Sequence, residues 1–157
     1  MIRVYRIADD RHPIWDGTGA ALVGGRWNSS GKSVIYGSLS YACAMLEILA
    51  HAGIGRVPRT QRFVVAEVPD ELSVERHDPL TLPAGWDAED SSVARGFGDD
   101  WLVSARSLVL VVPSVVARLE FNAIINPRHP EFQKLMVSIP EPVIWDSRLF
   151  RTIPVTD

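Results

Sequence analysis

Gly24 to His51 reads GGRWNSSGKSVIYGSLSYACAMLEILAH, and the fold turns on how this stretch is read. A Gly-Gly-Arg-Trp-Asn turn passes through Ser29 to Lys32 into a short β-prone run, Ser33 to Tyr36. A helix follows, from about Leu39 to His51. Between Ser33 and Ala50 the only charged residue is Glu47. At about 100° per residue, Leu39, Ala42, Cys43, Leu46, Leu49 and Ala50 form one apolar arc, with Glu47 at its margin. Met45 and Ile48 make the other side apolar too, so the pattern predicts a helix buried on most faces. A carboxylate there must be hydrogen-bonded, paired or protonated, because an isolated buried charge is very costly. The arginine in the stretch is Arg26, whose two preceding glycines permit positive φ and close approach to a ligand. Arg26, Tyr36 and Glu47 fall on a turn, a strand and a helix in direct succession, which a strand–helix hairpin would gather into one cleft. Spacing alone leaves two readings of Arg26 and Glu47 open, an internal ion pair and a catalytic pair.

Outward from this stretch, Ile2 to Ile7 alternates as a strand, with Arg3 and Tyr5 on one face and Val4 and Arg6 on the other. Arg6 is therefore a candidate buried arginine. Asp9 to Val23 is turn-rich and reads as a loop. Gly53 and Gly55 end the central helix, and Pro58 forbids its return. Gln61 to Val68 is β-rich. Asp70 to Gly98 has little pattern and suggests loops and a short helix anchored by Trp86 and Phe97. Asp99-Asp100 resembles an acidic helix start. Ser107 to Val112 (SLVLVV) is a strand buried on both faces, which Pro113 stops. Phe121 to Ile125 and Val143 to Trp145 are further strands. Strands outnumber helices without alternating with them, so the class is α+β.

The 157 residues suit one domain, 1–157, with a real core. Sixteen Lys and Arg against nineteen Asp and Glu give a net charge of −3, which argues against a broad nucleic-acid footprint. A single cysteine rules out an intramolecular disulfide and suits a reducing cytoplasm. The absence of a signal-like apolar start or a membrane-length apolar run leads to the expectation of a soluble cytoplasmic protein. Gly31-Lys32-Ser33 fails as a P-loop, because the glycine required five positions earlier falls on Arg26 and a strand follows the lysine. Cys43 and the histidines lack metal-ligand spacing, so no metal is expected. No G-x-G-x-x-G follows a strand, which disfavours a conventional NAD oxidoreductase.

Several blocks in order resemble the RES-domain family, the toxin partners of Xre-type antitoxins. They are Val4-Tyr-Arg-Ile7, Gly24-Gly-Arg-Trp-Asn28, Val34-Ile-Tyr36, Ala44-Met-Leu-Glu47, Gly98-Asp-Asp-Trp-Leu102, Val112-Pro-Ser114, Asn122 to His129 and Asp146-Ser-Arg-Leu149. The family's eponymous arginine, glutamate and serine fall on Arg26, Glu47 and Ser114. The resemblance implies an ADP-ribosyltransferase-like split mixed β-sheet with flanking helices, and cleavage of the nicotinamide–ribose bond of NAD, which is the substrate. It also implies silencing by a cognate helix-turn-helix antitoxin in a hetero-oligomer; with the charge and hydropathy above, no direct nucleic-acid or membrane contact is expected. The acceptor of ADP-ribose is water, phosphate or a protein side chain. In this picture Glu47 stabilises positive charge on the ribose, while Arg26 and Arg6 anchor the dinucleotide. Tyr36 stacks on nicotinamide, Ser114 bonds the ligand or orients Glu47, and Gly25 lets the backbone approach. Two rivals remain: a ribonuclease toxin using Arg26, Tyr36 and Glu47, and a non-catalytic nucleotide-binding module.

Overall fold

The computed structural model describes residues 1–52 and 59–150, so the expected helix stop at Gly53, Gly55 and Pro58 lies outside the described residues. The alternation at the start of the chain gives β1 (Ile2–Asp9), and the next turn-rich segment contains a short helix, α1 (Thr18–Val23), where a loop was expected. The central stretch becomes β2 (Ile35–Ser38) and α2 (Tyr41–Ala52). Then follow β3 (Gln61–Val68), β4 (Val74–Arg76), α3 (Ser92–Ser104), β5 (Val109–Pro113), β6 (Phe121–Ile125), β7 (Met136–Val137) and β8 (Glu141–Pro142).

The strands form one sheet in the order β4-β5-β6-β2-β1-β3-β7, with β8 also on β3. All neighbours are antiparallel except β4 and β5, so the sheet is mixed and the class is α+β. Beside the eight-residue register between β1 and β3, β1 and β2 share the single pair Tyr5↔Ser38. The sheet is thus nearly parted at its middle.

Alternation and register divide the core between two faces. Val4, Ile35, Ala66, Val109, Val111, Ala123 and Ile125 belong to one cluster. Tyr36, Leu110, Val112 and Ile124 belong to the other, under Trp27, Trp86 and Trp101. Every residue of β5 is buried, as the SLVLVV run requires. Pro113 is the strand's last residue, where it pairs with Phe121.

Three expectations are corrected. Asp99 and Asp100 lie inside α3, which begins seven residues earlier at Ser92. The helix runs through Gly96 and Gly98, within the stretch read as loops and a short helix; a Cβ on Gly98 would stand 1.8 Å from the Trp27 carbonyl oxygen, so the glycine is what lets α3 rest on the turn's backbone. Among the described residues the last strand is Glu141–Pro142 on β3, not Val143 to Trp145. Finally, α2 is open on one side: Cys43 and Ala44 are buried, but Ala42, Leu46 and Ala50 are exposed. The helix packs on β1 and β2, and its apolar outer side has no cover among the described residues.

Candidate active site

The Gly24–Asn28 turn is built around two polar groups. Gly24 takes φ +72, a left-handed conformation that favours glycine, and Gly25 bridges to Asn28. The buried Asn28 side chain donates to the carbonyls of Ala20 and Lys32, tying α1 and the following loop to the turn. The Tyr36 hydroxyl donates to Asn28 Oδ1 at 2.6 Å and accepts the Trp27 N–H at 3.0 Å. Burial pushes the Tyr36 phenol well above its ordinary pKa, so it stays a neutral donor. A Cβ on Gly25 would stand 2.7 Å from that hydroxyl, so the turn lies directly on the tyrosine. Below, Trp27 stacks on Trp86 at 6.4 Å and meets Phe97 edge-on. Asp99 of α3 closes the arrangement by accepting from the Ser29 amide and hydroxyl.

Arg26 is half-buried, and its Nη1 donates to the carbonyls of Trp86 (3.1 Å) and Ala88 (2.8 Å). Glu47, half-buried on α2, receives two hydrogen bonds on one oxygen: Ser114 Oγ and Asn122 Nδ2 each lie 2.7 Å from Oε1. The carboxylate is therefore held by a hydroxyl and an amide, not by a guanidinium, and no ion pair joins it to Arg26. Ser114 is fully buried and also accepts the Ala117 amide, so its hydroxyl hydrogen is directed at Glu47. The chain brings Tyr36 to the Arg26 turn, and Ser114 to Glu47. Register places both groups on the same face of the sheet, because Tyr36 and Ser38, two residues apart on β2, share a face and Ser38 pairs with Asn122 of β6.

Arg6 sits apart. Opposite residues of an antiparallel pair share a face, so Tyr5↔Ser38 puts Arg6 on the Val4 side of β1. Its guanidinium enters the gap between β1 and β2, where Nη1 donates to the Tyr36 carbonyl (2.8 Å) and Nε to that of Ile14 (2.5 Å). Burial lowers its pKa and nearby Asp16 opposes the shift. Sequence reasoning did not assign Asn122 to the site. Its signal was one amide within the apolar strand Phe-Asn-Ala-Ile-Ile, a buried polar group that must find a partner. Two surface depressions, of ≈ 240 Å³ beside Leu72 and ≈ 560 Å³ beside His12, are lined by none of Arg6, Arg26, Tyr36, Glu47, Ser114 and Asn122.

The model of the RES domain matches residues 3–146. The chain belongs to the RES-domain family. Among RES relatives, a protein named Prs ADP-ribosylating toxin, from Sphingobium sp. (strain YBL2), is 40% identical over 94% of this chain and 96% of its own. A Toxin Res of Pseudomonas putida (strain KT2440) is 38% identical over 85% and 91%. That of Photorhabdus laumondii is 32% identical over 87% and 88%. The crystal structure of the M. tuberculosis MbcT–MbcA toxin–antitoxin complex contains a chain that superposes with a TM-score of 0.72 at 18% identity, covering 89% of this chain and 82% of that one. The mixed sheet expected of a RES protein is thus a fold it shares with a solved neighbour.

Proposed function

We propose that this RES protein is a toxin that breaks the nicotinamide–ribose bond of NAD. The observation that carries the reading is the Glu47 carboxylate, whose Oε1 is fixed by Ser114 and Asn122 while Oε2 has no donor among the described residues. In the reaction the C–N bond breaks and its electron pair goes to the pyridinium nitrogen. Nicotinamide leaves neutral, so no general acid is required. Positive charge gathers on the ribose ring, as in glycoside hydrolysis. A carboxylate oriented before the reaction stabilises that charge without reorganising, and its second oxygen is free for a ribose hydroxyl. The acceptor then adds to the ribose carbon. Water or phosphate loses its proton to solvent and frees ADP-ribose or its phosphorylated form, which depletes NAD.

Arg26 uses one of its three nitrogens on protein carbonyls, and the others are the charge-assisted donors for the dinucleotide. Tyr36, its ring fixed by two hydroxyl bonds beneath Gly25, is the stacking surface for nicotinamide. Arg6 works through Tyr36, whose carbonyl it holds. Transfer of ADP-ribose to a protein is a second reading of the same site, favoured by the 40%-identical Prs ADP-ribosylating toxin. An antitoxin partner is favoured by the MbcT–MbcA complex and by the exposed apolar residues Leu46, beside Glu47, and Leu119, on the loop after Ser114. The test is incubation of the pure protein with NAD, with and without phosphate, and product identification by mass. Nicotinamide release supports the reading, and intact NAD after long incubation with phosphate and cell extract refutes it.

A further inference from the structure

One hydroxyl lies a step behind the groups that touch Glu47. Ser38, the last residue of β2, is 2% exposed, and its Oγ lies 2.7 Å from Asn122 Oδ1. The Cys43 thiol, one turn before Glu47 on α2, lies 3.6 Å from the same oxygen. The other end of that amide, Nδ2, donates to Glu47 Oε1. The two ends of an asparagine amide have nearly the same shape but opposite hydrogen-bonding character. Turned over, Asn122 would set a carbonyl oxygen against a carboxylate oxygen, acceptor against acceptor.

We propose that Ser38 is a positioning residue for Glu47, acting through Asn122. The Ser38 hydroxyl, assisted by the Cys43 thiol, fills the acceptor end of the amide and so holds its donor end on Glu47. The carboxylate is thereby anchored from two elements, the loop after β5 through Ser114 and strand β6 through Asn122, with β2 supporting the second anchor. The inference rests on the reading of Glu47 as the group that meets the ribose. Ser38 itself makes no hydrogen bond to Glu47; its hydroxyl is spent on Asn122.

The test is a double-mutant cycle on the full chain, with NAD turnover and a melting curve measured for each protein. Ser38→Ala is expected to lower kcat about three- to tenfold, the loss of one neutral hydrogen bond, with KM changed by less than about twofold. In the Asn122→Ala background the same substitution should change kcat by less than about twofold, because the group it acts through is gone. A merely structural serine would lower melting temperature alike in both backgrounds and leave kcat per folded molecule at the parent value. That result, or an equal kcat loss in both backgrounds, overturns the proposal. If Ser38→Ala fails to fold, Ser38→Cys keeps the volume with a weaker donor; a partial loss of kcat supports the proposal and the parent kcat overturns it. Glu47→Gln, assayed alongside, separates the two claims. An active Glu47→Gln removes the reading of the carboxylate, whereas an inactive one beside an unimpaired Ser38→Ala removes the positioning role alone.

Discussion

Replacing Glu47 with glutamine removes one charge from the site and little else. Both bonds to the side chain converge on Oε1, each at 2.7 Å, so a glutamine carbonyl placed there keeps Ser114 and Asn122 partnered. Each bond falls from the strength of one made to a charged acceptor toward that of a neutral one, a loss of about 1 kcal/mol apiece. The desolvation cost of a half-buried carboxylate disappears at the same time and offsets part of that loss. Glu47→Gln should therefore melt within about 5 °C of the parent, given roughly 2–4 °C per kcal/mol for a chain of this size. Turnover should suffer far more. Losing one preorganised electrostatic group typically costs about 100- to 1000-fold, or roughly 3–4 kcal/mol at the transition state. Nicotinamide release followed by chromatography, with a melting curve on the same preparation, reads both numbers. A variant that consumes NAD as fast as the parent would refute the reasoning, and one that melts far lower would assign the carboxylate to folding.

Gly98→Ala drives a Cβ into the Trp27 carbonyl and should lower stability by about 3 kcal/mol, while Gly96→Ala, in open space on the same helix, should raise it by roughly 0.5–1 kcal/mol; thermal melts decide. Tyr36→Phe strands the Trp27 N–H and Asn28 Oδ1 and should cost about 1–3 kcal/mol, visible as a lower denaturation midpoint in urea. Burial raises the Cys43 pKa, so the thiol stays protonated to higher pH than a free cysteine. Alkylation of the native protein at pH 8 should be slower than after unfolding and should accelerate as pH rises; equal native and unfolded rates would contradict this.

Much of the sheet was legible because burial writes itself plainly into strands. Five consecutive buried residues of β5 follow from an unbroken apolar run, and the alternation of Ile2 to Ile7 gave β1 and the partial burial of Arg6. Glu47 was legible as the one charge on an apolar helix; the family resemblance gave Ser114 either the ligand or Glu47, and its hydroxyl lies on Glu47. What holds Glu47 was not legible in full. The expected cation was Arg26, close in sequence, but the amide that does the work is 75 residues away on β6 and meets α2 only through the sheet register. Helix α3 was misplaced because Gly98 signals flexibility locally and close packing tertiarily, and only the Trp27 backbone resolves which. The open side of α2 was missed because apolarity alone does not tell a core face from an exposed one.

The near-parting of the sheet has a mechanical consequence. Strands β1 and β2 share one rung, Tyr5↔Ser38, and beyond it the Arg6 guanidinium stands in for the missing ladder by grasping the Tyr36 carbonyl. A boundary with one rung bends more cheaply than the eight-rung boundary between β1 and β3, so it is the fold's natural crease. Because α2 packs on both strands and Arg6 of β1 holds the Tyr36 carbonyl of β2, a change in the angle of that crease would move Glu47 relative to Tyr36.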